Sequence, residues 1–263
     1  MPPPTALDSS RRCRLASIGY EQPLLWLAAG WRDLLRSPRP GLLHGLAVSV
    51  FGLMLLWVAH RYFWLLAGAF SGFLFIGPLA ATGLYAVSRA LEQGRTPTLR
   101  TALDAWHPED HRLVSFGLLL AAAGTGWVLT SASLITALAP QPVRDPIEFL
   151  RVVVLNEQSW LFEAWLMMGG VLAAPVYASS VIAIPLMMER RIGLLAAVLT
   201  SWRAVLQNPG PMALWGALLM GITLVGMGTL MLGLIVAVPW LSYASWHAYR
   251  DLVPPGDDAP EAH

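Results

Sequence analysis

The chain has 263 residues, of which 56% are hydrophobic and only 13% are charged. A soluble domain usually carries about 25% charged residues, so this composition indicates a membrane protein. The 17 basic residues, all arginine, are scattered and leave a net charge of +1, so we expect no nucleic-acid partner. Cys13 is the only cysteine, which excludes an intrachain disulfide and a multi-cysteine metal site.

The two ends of the chain are predicted to be disordered cytoplasmic tails. Residues 1–23 are polar and proline-rich and contain no apolar segment, which indicates a flexible tail rather than a cleaved signal. Residues 253–263 are also disordered by composition. Between the tails we expect a single all-α membrane domain, residues 24–252.

Apolar stretches in this domain predict six transmembrane helices. A hydrocarbon core of about 30 Å needs about 20 apolar residues. As one helix, residues 212–250 would be roughly 58 Å long, so we expect two spans with a turn near residues 226–229. Five spans are the alternative, which would place Arg250 on the opposite side of the membrane. The other spans are predicted at about residues 42–59, 63–90, 113–139 and 160–188.

The six predicted spans form three helical hairpins, and a short amphipathic helix precedes each hairpin. In each of these short helices leucine and tryptophan recur at intervals of three and four residues, a pattern typical of helices at a lipid interface. Each helix and its hairpin form one of three pseudo-repeats. Aligning the first two repeats pairs Pro78 with Pro175 and Glu92 with Glu189. The helices are predicted at residues 24–36, 97–106 and 194–206, and the repeats at about residues 24–92, 97–191 and 193–252.

The arginines predict the orientation in the membrane. Fourteen of them fall in the tails, amphipathic helices and elbows on one side of the predicted spans. The loops on the other side contain only Arg61, Arg144 and Arg151. By the positive-inside rule, both termini and all three amphipathic helices are expected on the cytoplasmic face of a bacterial inner membrane.

The sequence contains no recognisable catalytic, cofactor or metal motif, and we expect no bound cofactor or metal. Ionisable residues inside a membrane often mark transport or proton pathways, and none falls near the middle of a predicted span. We interpret His44 and His247 as interfacial polar residues rather than a haem-binding pair. One local group of acidic and histidine residues is interpreted as a solvated helix break: His107, Glu109, Asp110 and His111.

Prolines and tyrosines in the even-numbered spans are the remaining candidate site. Proline frees a backbone carbonyl, and nearby hydroxyl groups can satisfy it. We interpret these residues as kinks with interhelical hydrogen bonds; the alternative is a small polar cavity between three kinked helices. The spacings Gly41-x-x-x-Gly45 and Gly68-x-x-x-Gly72 predict close helix contacts inside the bundle. The kink and cavity candidates are Pro78, Tyr85, Pro175, Tyr177, Pro239 and Tyr243.

Three short motifs resemble a family of six-span bacterial integral membrane proteins of unknown function. They are Trp31-Arg32-Asp33-Leu34, Gly77-Pro78-Leu79-Ala80 and Glu92-Gln93-Gly94. The resemblance runs from about residue 24 to residue 250. Members are sometimes labelled cytochrome-oxidase-like, although this chain lacks matching metal ligands. The resemblance therefore implies an architecture and no assigned activity.

The absence of charge near the middle of the spans, together with three surface helices on one face, predicts a non-enzymatic scaffold or assembly partner. Its partner would be another membrane protein or a second copy of the chain, in addition to the lipid bilayer. The alternative is a channel or facilitator for a small neutral solute, which would pass between the proline-kinked helices. An enzyme that acts on lipid is the third hypothesis.

Overall fold

The computed structural model describes residues 5–61, 81–105, 111–143, 145–156 and 158–254. The all-α fold class is confirmed for these residues, which contain no strand. A π-helical turn, Leu150–Val154, follows the seventh helix. The helices are α1 Ala6–Arg12, α2 Gln22–Arg36, α3 Pro38–Arg61, α4 at residues 81–92, α5 Leu99–Asp104, α6 His111–Leu138, α7 Pro146–Phe149, α8 Leu161–Ser180, α9 Ala183–Glu189, α10 Leu194–Gln207, α11 Pro209–Gly228 and α12 Leu234–Leu252.

Three segments of the described chain are long and apolar enough to cross a membrane: α6, the combined length of α8 and α9, and α11. They coincide with the third, fourth and fifth predicted spans. The predicted turn in the last apolar stretch is also confirmed, because residues 229–233 separate α11 from α12. The count of six spans stays a prediction, since α3 and α12 do not meet the same criterion. Most of the second predicted span lies outside the described residues.

Two prolines remove backbone hydrogen bonds, one at the break between α8 and α9 and the other inside α12. Proline lacks an amide proton, and its ring clashes with the carbonyl four residues earlier. The helix that begins at Leu161 is accordingly interrupted at Val181, four residues before Pro185. Pro239 lies inside α12 and leaves the carbonyl of Ile235 without its usual amide donor.

Glycines allow α2 and α3 to contact the backbone of α12 directly. A Cβ atom on Gly45 of α3 would lie only 2.1 Å from the Ile235 carbonyl oxygen, the group that Pro239 leaves free. A Cβ atom on Gly30 of α2 would lie 2.5 Å from the Ala244 amide nitrogen. Such approaches are possible only without a side chain, and they permit weak Cα–H···O contacts. The prediction of an internal contact at Gly45 is confirmed, whereas Gly68 and Gly72 lie outside the described residues.

Helix α2 is packed into the protein more deeply than the amphipathic pattern predicted. The Trp240 indole of α12 donates a hydrogen bond of 2.7 Å to the Leu27 carbonyl of α2. The Trp31 ring of α2 packs edge-on against the Trp240 ring. Leu24 and Trp31 belong to the recurring leucines and tryptophans that predicted this helix, yet they are 57% and 41% exposed. The buried face consists of Pro23, Trp26, Leu27, Gly30, Asp33 and Leu34.

The first described residues are ordered, so the prediction of a flexible tail over residues 1–23 is wrong for residues 5–23. The hydroxyl of Ser10 lies 3.0 Å from that of Thr200 on α10, and the Arg203 guanidinium donates to the Ser10 carbonyl. Asn208 accepts a hydrogen bond of 2.9 Å from the Ile18 amide and donates one of 3.1 Å to the Ala16 carbonyl. These polar contacts order the segment together with apolar packing, because Cys13 belongs to the main core and Leu15 and Ile18 pack against it. We call residues 5–18 the N-terminal strap.

The predicted C-terminal tail begins with ordered residues. Val253 is fully buried, and the carbonyl of Pro254 accepts a hydrogen bond of 3.1 Å from Arg190. Residues 255–263 lie outside the described chain, so their predicted disorder stays a prediction.

The contact between Gly45 and α12 gives a first testable prediction. Gly45→Ala should lower the free energy of unfolding by about 1–3 kcal/mol, because the new methyl group must displace the α12 backbone. Gly221→Ala in α11 is the matched control, since its Cβ would meet nothing within 4 Å. The control should be neutral or gain up to about 1 kcal/mol from helix propensity. Unfolding in detergent measures both, and equal stability of the two variants would contradict the close contact.

Candidate functional site

Charged and polar side chains of four helices meet beside the C-terminal half of α12. They come from α2, α4, α9 and α12 itself, in a chain that has few charged residues. We call this set the polar junction. It consists of Asp33, Ser88, Glu92, Glu189, His247 and Arg250.

Asp33 of α2 is the buried centre of one half of the junction. Its Oδ2 atom accepts a hydrogen bond from the Ser88 hydroxyl of α4 and lies 2.8 Å from Nε2 of His247 on α12. The side chain of Asp33 is 6% exposed, and that of His247 is 28% exposed. A buried carboxylate is tolerated because such partners replace its lost hydration. Asp33 thereby connects three helices.

Arg250 of α12 is the centre of the other half. Its Nε atom lies 2.9 Å from Glu92 Oε1 on α4, and its Nη1 atom lies 2.8 Å from Glu189 Oε1 on α9. The second oxygen of Glu92 accepts a hydrogen bond of 3.1 Å from the Trp246 indole, and that of Glu189 accepts one from the Tyr249 hydroxyl. The two glutamates paired by the repeat alignment thus bind one guanidinium.

Arg112 of α6 fixes the C-terminal end of α9 next to the junction. Its guanidinium donates to the carbonyls of Met187, Arg190 and Ile192 at 3.2, 3.3 and 2.8 Å. The last carbonyls of a helix have no partner inside the helix and carry partial negative charge, so an arginine there supplies both hydrogen bonds and favourable charge. Arg112 therefore joins α6 to the helix that presents Glu189.

The geometry of the junction differs from that of a hydrolytic triad. In a Ser-His-Asp triad the hydroxyl bonds to the imidazole, whereas here Ser88 and His247 both bind the same oxygen of Asp33. In the part of the chain that the structure describes, no group of three or more His, Cys, Asp or Glu side chains could hold a metal ion. The arrangement is suited to joining helix ends.

The three candidate tyrosines face three different helix contacts. Tyr177 of α8 donates a hydrogen bond of 2.8 Å to the Met212 carbonyl of α11. Tyr85 of α4 is buried and interacts with the Ser245 side chain of α12. Tyr243 is fully buried against α3, and its hydroxyl has no hydrogen-bond partner within the described ranges.

The candidate prolines are also separated. Pro175 lies on an exposed part of α8, whereas Pro239 is buried where α12 meets α3. Pro78 lies outside the described residues. The structure therefore brings Pro239 and Tyr243 together on α12 and keeps Pro175 and Tyr177 on α8. A polar cavity between the kinked spans stays a prediction.

Sequence reasoning missed the role of two junction residues. Asp33 falls between the predicted apolar positions of α2, but Trp26, Gly30 and Asp33 are spaced at i, i+4 and i+7 and form one buried stripe. His247, interpreted as an interfacial polar residue, binds Asp33. Of the predicted solvated helix break, only His111 is described, as the exposed first residue of α6.

Comparison with known proteins supports the membrane assignment. Residues 65–189 match the family model described as "Predicted integral membrane protein (DUF2189)". The resemblance to an uncharacterised family of membrane proteins is thereby confirmed for this stretch. The match includes both glutamates of the polar junction, whereas Asp33, His247 and Arg250 lie outside it. No curated protein and no solved structure matches the chain.

The two glutamates around Arg250 give a second prediction. Arg250→Met should lower the free energy of unfolding by about 2 kcal/mol because it leaves two carboxylates unpaired; a fully buried pair would cost about 3–5 kcal/mol. The smaller figure reflects the 38% exposure of the Glu92 side chain. Adding Glu189→Gln to Arg250→Met should restore part of the loss.

Arg100→Met is the matched control for this experiment. Arg100 pairs with Asp104 on α5, but the two side chains are 87% and 62% exposed. Its loss should change the unfolding free energy by less than about 0.5 kcal/mol. If Arg250→Met behaved like this control, Arg250 would not hold the junction together.

The tyrosine hydroxyls give a third prediction. Tyr177→Phe should lower the unfolding free energy by about 1 kcal/mol, because the hydroxyl bonds the Met212 carbonyl. Tyr243→Phe should be neutral or stabilising, since the removed hydroxyl is buried and has no partner among the residues that the structure describes. Chemical or thermal unfolding in one detergent compares the pair. The reverse order of stabilities would show that the Tyr243 hydroxyl has a partner, as a polar cavity requires.

Proposed function

We propose that this integral membrane protein is a non-enzymatic scaffold or assembly partner within a bacterial inner membrane. One observation supports this proposal most directly. The carboxylates of Asp33, Glu92 and Glu189 are each bound to groups of the same chain. Carboxylates that are paired within the chain in this way hold helix ends in place and are not free to bind a substrate.

The membrane-capable helices supply the surface that a partner would need. In their most apolar windows, α6, the segment of α8 and α9, and α11 are 28%, 39% and 22% buried within the chain. Large outward-facing side chains include Met167 and Val171 on α8 and Leu224 on α11. Lipid covers much of this surface, and we propose that another membrane protein or a second copy covers part of it.

The proposed orientation places both termini on the cytoplasmic side. The strap arginines and Arg191, which follows α9, are exposed at the same end of the molecule, where the strap contacts α10. A concentration of arginine at one end of a membrane bundle favours the cytoplasmic side.

A photo-crosslinking experiment tests the scaffold function. A benzophenone amino acid is placed at Met167, Val171 or Leu224 in cells, and the membranes are irradiated. We expect discrete protein adducts from at least one position, because a packed partner holds the probe against one polypeptide. The purified variants in liposomes of lipid alone are the control, and an adduct that persists there identifies a second copy.

Two results would overturn the proposal. The first is that only lipid adducts form at all three positions in native membranes. The second is that liposomes containing the purified protein swell faster in glycerol or urea than empty liposomes, which would favour the channel or facilitator instead.

A further inference from the structure

We propose that the N-terminal strap binds the anionic headgroups of the lipid surface next to α10. Arg11, Arg12 and Arg14 would make the contact, and all three side chains are exposed. This inference goes beyond the scaffold function and does not depend on it. It concerns the contact of the strap with lipid headgroups, whereas the scaffold function concerns protein contacts of the membrane-capable helices.

The backbone that carries the three arginines is held against the rest of the protein. Ser10 contacts Thr200 and Arg203 of α10, and the Ala16 amide donates a hydrogen bond of 3.0 Å to the carbonyl of Leu252. Cys13, between the arginines, is 5% exposed and belongs to the main apolar core. A preorganised set of charges loses less conformational entropy on binding than a flexible basic tail.

Contacts at the end of the strap place it at the level where an apolar helix begins. Asn208, which bonds Ala16 and Ile18, immediately precedes α11, one of the three membrane-capable helices. Just after the strap, the Tyr20 ring lies over Gly210 in the first turn of α11 and is 66% exposed. Tyrosine in this position is typical of a membrane–water interface.

Helix α10, to which the strap is bound, connects the ends of two membrane-capable segments. It begins after α9 and ends directly before α11. Leu195 and Leu206 are 62% and 69% exposed on the face opposite its buried small residues, so this face has apolar side chains available to lipid. The strap therefore lies beside a helix that is itself placed at the bilayer surface.

The charge of the strap fits an anionic surface. Residues 5–18 contain three arginines and one acidic residue, Asp8. Hydrogen bonds from Thr5 hold the pKa of Asp8 below its usual value, so it stays ionised and offsets only one arginine. None of the three arginines forms an ion pair with the rest of the described chain. Arginines close to an anionic leaflet gain free energy from its negative surface potential.

Hydrogen–deuterium exchange of the full chain in liposomes tests this contact. Exchange of the strap amides is compared in phosphatidylcholine alone and in phosphatidylcholine mixed with phosphatidylglycerol. We expect the anionic lipid to slow exchange of the strap amides at least about five-fold. This is the factor by which one arginine near such a surface favours the bound state. The combined variant Arg11→Gln, Arg12→Gln and Arg14→Gln should lose this difference.

Two further variants separate charge from structure. Replacing the same three residues with lysine keeps the charge and should keep the slowing, even if the glutamine variant undocks the strap in phosphatidylcholine alone. Arg100→Gln removes an exposed arginine elsewhere and should leave the slowing unchanged. Equal exchange in both lipids, or slowing that survives in the glutamine variant, would overturn the proposal. So would equal slowing by soluble heparin in phosphatidylcholine, because the strap would then bind polyanions in general.

Discussion

The structure depends on direct backbone contact between α12 and the two helices α2 and α3. Gly30 and Gly45 leave room for this contact, and Pro239 frees the carbonyl that Gly45 approaches. Within lipid there is no hydrophobic force that drives helices together, so close packing and polar contacts decide which helices meet. Once α12 lies against α2 and α3, its next turns present His247 and Arg250 to the ends of α2, α4 and α9.

The polar junction follows from this placement and shows how the chain uses its few charges. Glu92 and Glu189 bind one guanidinium, while Asp33 binds a hydroxyl and an imidazole. Their pairing offsets the cost of taking these charges out of water, and removal of one member leaves its partners desolvated and unpaired. The family match covers both glutamates but not Arg250. The matched segment therefore supplies the acidic half of a contact that the C-terminal helix completes.

The N-terminal strap and the C-terminal end of α12 are in direct contact. The N-terminal strap contacts α10, Asn208 and the last residue of α12, so an arginine-rich segment is held beside the start of a membrane-capable helix. The apolar faces of α6, α8 and α11 remain available to lipid or to a partner. The proposal of a membrane-embedded assembly partner rests on this polar end and on these exposed apolar faces.

Composition, periodicity and span length are local properties, so the membrane class, the all-α fold and the break between α11 and α12 could be predicted from the sequence. The sequence also paired Glu92 with Glu189 through their spacing. The shared contact of both glutamates with Arg250, the burial of Asp33 and the order of residues 5–18 follow from helix packing and were not predicted. These outcomes depend on partners far away in sequence, as in the contact of Asp33 with His247, which are 214 residues apart, and no local pattern encodes such a contact.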